Sequence, residues 1–200
     1  MLIRAGIQYK IVGGVKFFER AEIKDVMAYL TLLINLSDDV SAIRVVNTPK
    51  RGIGKTTVEH IKQIATLDKC SFMQACSQLL TENALKPAAQ KSLEGFVKLI
   101  QNSAKIEQDG QNSTSLRQRI EKYIKATGMI DALRAEQSME ADSRIENINE
   151  FFGVCEEFSN THEEDEMMFE APNFENAKVI EKNENPGNVL RGNSLVDFLE

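Results

Sequence analysis

The residues most able to do chemistry lie in one short stretch, residues 47–57, which reads NTPKRGIGKTT. It has two glycines two residues apart and three cations, and it contains no acidic residue. Glycine allows a turn to expose backbone N–H groups, and cations beside such a turn favour a bound anion. The stretch therefore indicates an anion site, with phosphate as the candidate ligand.

One interpretation is a nucleotide-binding P-loop, G-x-x-x-x-G-K-[ST], whose last three residues match Gly54, Lys55 and Thr56. The first glycine of that motif falls on Pro49, which has no N–H to offer a phosphate and a fixed φ. The upstream apolar residues also keep helical spacing, at positions 40, 43 and 46. The sequence therefore disfavours a small nucleotide-binding protein of the P-loop class.

A turn of helix-hairpin-helix type fits better, with Gly-Ile-Gly before a helix that begins near Thr56. Gly52 and Gly54 allow positive φ, and Ile53 can point inward as an anchor. The amides that start the helix then face outward, where the helix dipole favours an anion. The candidate contacts to a nucleic-acid phosphate backbone are Lys50, Arg51, Gly52, Ile53, Gly54, Lys55 and Thr56. An ordinary glycine-containing turn with incidental lysines is the alternative, and the residues alone leave it open.

The rest of the sequence offers no second site of this kind. The three cysteines form no C-x-x-C pair, and His60 and His162 lack partners at metal-ligand spacing. We therefore expect no disulfide and no metal site. No nucleophile stands with a base, so we also expect no catalytic residue.

The elements that position the stretch are predicted to be almost all helical. Apolar residues recur at helical spacing from residue 21 onward. The predicted helices cover about 21–34, 40–46, 56–67, 116–127, 129–136 and 144–158, with others after Ser71 and from Pro87. Residues 7–12 alternate like a strand, which ends at Gly13 and Gly14 and has no partner strand. The predicted fold class is mainly α: an irregular helical bundle with one orphan N-terminal strand.

Charge is divided unevenly along the 200 residues. The net charge is −6, but residues 1–135 carry +7 and residues 136–200 carry −13. Since salt screens surface charges beyond about 10 Å, a basic region can bind a polyanion although the whole chain is acidic. Residues 161–193 combine an acidic run with few periodic apolar residues, and we expect a disordered insertion there.

No segment indicates a membrane. The longest nearly apolar stretch, residues 27–34, is far shorter than the roughly 20 residues of a spanning helix. The first ten residues lack the apolar middle and cleavage site of a signal peptide. We expect a cytoplasmic protein.

Three stretches together resemble the UvrD/PcrA/Rep-type superfamily 1 DNA helicases. Residues 7–25 resemble the family's I-x-Y-x-I-x-G-G-x-x-F-F-x-R-x-E-I-K-D, and residues 47–54 match its N-x-P-x-R-G-I-G loop. Residues 143–148 resemble its S-R-x-E-N-h helix start, and residues 194–199 resemble the helix that follows. The stretches occur in the family's order and span nearly the whole chain.

The resemblance implies a fragment of an ATP-dependent helicase that translocates three-prime to five-prime. Residues 1–12 would be the last strand of the second RecA-like domain, and Gly13 and Gly14 a hinge. Residues 15–200 would form most of the inserted helical accessory domain, without its return segment. In the family, this domain contacts duplex DNA ahead of the fork, here through residues 52–56, with Lys50 and Arg51 adding charge.

The family's ATP-binding loop, its metal-binding Asp-Glu motif and its arginine fingers have no counterpart in the sequence. The resemblance therefore implies ATP and Mg²⁺ as cofactors of the parent helicase, none for this fragment, and a fragment that is itself non-catalytic. The implied partners are duplex DNA without sequence preference, the remaining helicase domains, and repair proteins. A helical protein-interaction module that recruits partners or inhibits the motor is the alternative.

Overall fold

The computed structural model describes residues 14–83, 85–108, 114–168 and 194–199, and every regular element in these ranges is a helix. The mainly α prediction is confirmed. The predicted strand and Gly13 lie outside the described residues, and Gly14 begins the first helix. The helices are α1 Gly14–Phe18, α2 Ala21–Ile34, α3 Asp39–Val45, α4 Lys55–Asp68, α5 Phe72–Thr81, α6 Pro87–Gln108, α7 Leu116–Ala126, α8 Met129–Glu136, α9 Met139–Met168 and α10 Leu195–Leu199.

The second helix, α2, is the centre of the core. It packs against α1, α3, α6, α7, α9 and α10. Its sequence, AEIKDVMAYLTLLI, is apolar on most sides, and most of its residues are buried. A helix with so wide an apolar surface is stable only when other helices cover it, which explains its central place.

Side chains or a glycine mark the starts of several helices. The Asp38 carboxylate accepts the N–H of Ser41 at 2.8 Å at the start of α3. Ser71 and Gln74 form a capping box at the start of α5. Gly128, with φ +77°, separates α7 from α8 as predicted. Within the described ranges, the structure contains no helix long and apolar enough to cross a membrane.

The long helix α9 differs from its prediction at both ends. The predicted start was Arg144, but α9 begins at Met139, and the Ser138 hydroxyl accepts the N–H of Ala141 at 3.1 Å. The predicted end was Phe158, but the helix continues to Met168. Apolar periodicity marks only the buried part of a helix, while Glu and Met extend helices by their own propensity. Residues 161–168 of the predicted disordered insertion are therefore helical, and residues 169–193 lie outside the described residues.

Candidate nucleic-acid interface

The glycine stretch forms the connection between α3 and α4, and the side chain of Asn47 closes it. Its Oδ1 accepts the backbone N–H of Arg51 at 2.8 Å and that of Ile53 at 3.3 Å. Gly52 has φ +77°, the left-handed conformation that favours glycine. Gly54 has φ −75°, so the positive φ that the sequence allowed there is not used.

The turn lies at the surface with one anchor in the core. Ile53 is 1 % exposed, whereas Gly52, Gly54 and Lys55 are exposed. The inward orientation predicted for Ile53 is thus observed. Burying this one side chain fixes the turn on the bundle and leaves its backbone open to solvent.

The first turn of α4 presents unsatisfied amides. Gly54 is its N-cap, and among the described residues no side chain accepts a hydrogen bond from the helix start. The helix begins at Lys55, one residue before the prediction, and its first turn contains no acidic residue. The first N–H groups of any helix lack intrahelical acceptors and carry the positive end of the dipole. This helix start is therefore suited to an anion.

Two lysines flank these amides. Lys50 and Lys55 are exposed, and neither belongs to an ion pair within the described ranges. Glu59, one turn along α4 from Lys55, pairs with Lys62 at 2.9 Å. The positive charge beside the helix start is therefore available to a ligand.

Arg51 does not join these outward cations. One terminal nitrogen of its guanidinium, Nη1, donates to the carbonyl of Thr48 at 2.9 Å and to those of Val45 and Pro49 at 3.2 Å. The other, Nη2, donates to Tyr29 Oη at 2.7 Å and to the carbonyl of Thr127 at 2.9 Å. The sequence grouped Arg51 with the charges that face a ligand, but the structure directs its guanidinium into the protein.

Tyr29 is the partner of Arg51 that sequence reasoning missed. It is fully buried in α2, and its hydroxyl donates to the carbonyl of Thr48 while it accepts from Arg51. Burial raises the pKa of Tyr29 to about 12, although the Arg51 guanidinium opposes the rise, so the hydroxyl keeps its proton. A buried tyrosine hydroxyl usually has a hydrogen-bond partner, so the position of Tyr29 in an apolar helix could have predicted a polar contact there.

Two other stretches that resemble the helicase family, residues 7–25 and 143–148, contact each other away from the turn. Asn147 in α9 donates from Nδ2 to Glu22 Oε1 at 2.6 Å and accepts from Arg20. Arg44 and Asp25 pair at 2.7 Å between α3 and α2. These polar contacts hold the scaffold together, because they join α2 to its neighbours.

The fold and the turn together define a class of protein: a helical domain with an exposed helix start flanked by two lysines. The family model described as the UvrD-like helicase C-terminal domain matches residues 1–193. The chain belongs to this family, and the resemblance found in its three stretches is confirmed.

Curated relatives agree with this assignment. Over 167 residues, the chain is 40 % identical to the ATP-dependent DNA helicase PcrA of Bacillus subtilis (strain 168), which covers 84 % of this chain and 22 % of the relative. It is 36 % identical over the same length to DNA helicase II of Escherichia coli (strain K12), covering 84 % of this chain and 23 % of the relative. The chain thus spans less than a quarter of the length of these relatives.

Proposed function

We propose that this chain is the accessory, duplex-contacting domain of an ATP-dependent, three-prime to five-prime DNA helicase. Membership of the UvrD-like C-terminal domain family and the helicase names of the relatives support the parent activity. The observation that carries the duplex contact is the exposed start of α4, which is uncapped among the described residues and flanked by Lys50 and Lys55.

The proposed contact is made to the phosphate backbone. The amides of Lys55 and Thr56, with the Thr56 hydroxyl, donate to phosphate oxygens, and Lys50 and Lys55 supply charge. Gly52 and Gly54 have no side chain to hold the duplex away. Contacts of this kind fix a protein on the duplex without reading bases, so binding is independent of sequence.

The proposed roles divide between this domain and the rest of the helicase. The turn before α4 follows helix α3, and Pro49 stands where a P-loop has its first glycine, so this turn does not fit the P-loop motif. We place ATP and Mg²⁺ in the parent helicase and treat this domain as non-catalytic. Gly13 and Gly14 are proposed as the hinge, and repair proteins as further partners.

Titration of a fluorescently labelled duplex with this chain, followed by anisotropy at several salt concentrations, tests the contact. We expect weak binding whose affinity falls with salt, with a log–log slope of about −0.9 for each phosphate neutralised. Lys55→Gln should reduce the magnitude of that slope by about 0.9 and lower the affinity equally for duplexes of different sequence.

The matched control is Lys69→Gln. Lys69 is exposed and follows the other end of α4, about 20 Å from Lys55 at a rise of ~1.5 Å per residue. It should bind like the unaltered chain. Absence of binding by the unaltered chain at low salt would remove the duplex contact. Equal losses from the two substitutions would mean that the charge attracts DNA but the start of α4 is not its site.

A further inference from the structure

We propose that Arg51 is a positioning residue, which holds the Gly52–Thr56 turn in its DNA-binding shape from inside the protein without touching phosphate. This inference rests on the proposed function, because it concerns the same turn. In this proposal Arg51 shapes the site, whereas Lys50 and Lys55 supply its positive charge.

The hydrogen bonds of Arg51 join three parts of the fold. Nη1 donates to the carbonyls of Thr48 and Pro49 in the connection and to that of Val45 at the end of α3. Nη2 reaches α2 through Tyr29 and the α7–α8 turn through Thr127. A planar fork of donors can serve acceptors in several directions at once, whereas a lysine ammonium is a single flexible point charge.

Aromatic rings further restrict the guanidinium. Its Cζ lies 5.6 Å from the centre of the Phe96 ring in α6 and 6.0 Å from that of the Tyr29 ring in α2. Both distances are within the range of cation–π attraction. Because these rings are buried, they fix the position of the guanidinium relative to the core.

The backbone of Arg51 is held as well as its side chain. Its N–H donates to Asn47 Oδ1, which also accepts the N–H of Ile53. The residue between them, Gly52, takes the left-handed conformation that reverses the chain. Fixing the residues on both sides of this reversal sets the direction in which α4 starts. A turn ordered before binding loses less conformational entropy when the ligand arrives.

Arg51→Lys is the discriminating variant, because it keeps the charge and loses the fork. We expect duplex affinity to fall by about tenfold, the factor that ~1.4 kcal/mol of lost pre-organisation produces, while the salt slope keeps its magnitude. The matched control is Lys69→Arg, an exposed position beyond the other end of α4, which should bind like the unaltered chain. Arg51→Lys binding normally, with Arg51→Gln losing about 0.9 from the slope, would make Arg51 a phosphate contact and overturn the proposal.

A second variant, and a measurement made without DNA, keep the proposal testable even when Arg51→Lys does not fold. Tyr29→Phe removes one acceptor of Arg51 at a residue too buried to touch DNA, so a lower duplex affinity supports positioning even if Arg51→Lys fails to fold. Hydrogen exchange in the free chain should become faster at the amides of Ile53 and Val58 in Arg51→Lys and Tyr29→Phe, and stay unchanged in Lys69→Arg. Unchanged exchange would overturn the positioning role, whereas failure of the unaltered chain to bind DNA would overturn only the proposed function.

Discussion

Gly54 is the N-cap of α4 but provides no capping side chain. Its φ of −75° and ψ of 168° are the extended values usual at this position, which any residue can adopt. Ser71 and Ser115, at the same position of α5 and α7, each accept the N–H three residues further on. Glycine at this position therefore leaves the amide of Thr57 without a capping side chain, so that this amide is free to donate to a phosphate.

Gly54→Ser should stabilise the fold and weaken duplex binding at the same time. The serine hydroxyl can accept the Thr57 N–H, which we expect to raise the free energy of unfolding by about 0.3 kcal/mol. The same bond would occupy an amide next to the proposed phosphate contact, so affinity should fall. Thermal melting and anisotropy of a labelled duplex measure the two effects.

Gly95→Ser is the matched control for this prediction. Gly95 is exposed in α6, and a Cβ there meets no described atom within 4 Å. The substitution should leave duplex affinity unchanged. If Gly54→Ser binds DNA as tightly as the unaltered chain, the amides at the start of α4 are not the contact.

The contact between α2 and α9 shows how motif residues can serve the scaffold. Glu22 is 8 % exposed, and its carboxylate accepts from Asn147. A buried carboxylate without a donor is costly, and this asparagine supplies one. The same asparagine accepts from Arg20, the residue before α2, so one side chain of α9 holds two charged residues at the start of α2.

Asn147→Ala should destabilise the protein by about 2 kcal/mol, because it leaves the Glu22 carboxylate short of a donor. Asn149→Ala, an identical change at an exposed position two residues further along α9, should alter stability by less than about 0.5 kcal/mol. Urea unfolding followed by circular dichroism gives both values. Similar effects from the two changes would show that the buried hydrogen bond contributes little.

Helices were predicted best from the sequence where they bury an apolar stripe, as in α2, because burial of one face requires apolar residues at helical spacing. The prediction failed at the ends of α9, where exposed polar residues continue the helix without any such spacing. Within the turn, the anchor Ile53 was predictable. The direction of Arg51 was not, since its acceptors at Tyr29 and Thr127 are 22 and 76 residues away in sequence. The spacing of neighbouring residues carries no information about contacts between residues so far apart in sequence.

Across the whole molecule, the core holds ionisable groups in their neutral forms. Burial raises the pKa of the Cys76 and Cys155 thiols from their ordinary 9.0 to about 12. It raises the pKa of Tyr29 from 10.0 to about 12, and that of Tyr123 also rises. These four side chains pack in the same core, so their titration is linked to the stability of the entire bundle.

This linkage predicts that the protein loses stability in alkali between about pH 9 and 12. In that window the unfolded chain releases protons from these thiols and phenols, while the folded chain keeps them. Unfolding is therefore favoured by up to about 1.4 kcal/mol per pH unit for each group. Below about pH 9 both states are protonated at these groups, and their contribution to stability is complete.

Urea unfolding at pH 8, 9, 10 and 11 measures the effect, and Cys155→Ala identifies its source. The variant should be less stable at pH 8, because it leaves a small cavity, but its stability should fall less steeply above pH 9 since one titrating group is gone. Parallel pH curves for the two proteins would show that the Cys155 thiol ionises as readily in the folded chain as in the unfolded one. If the stability of the unaltered chain does not change with pH, then Cys76, Tyr29 and Tyr123 also ionise as readily in the folded chain as in the unfolded one.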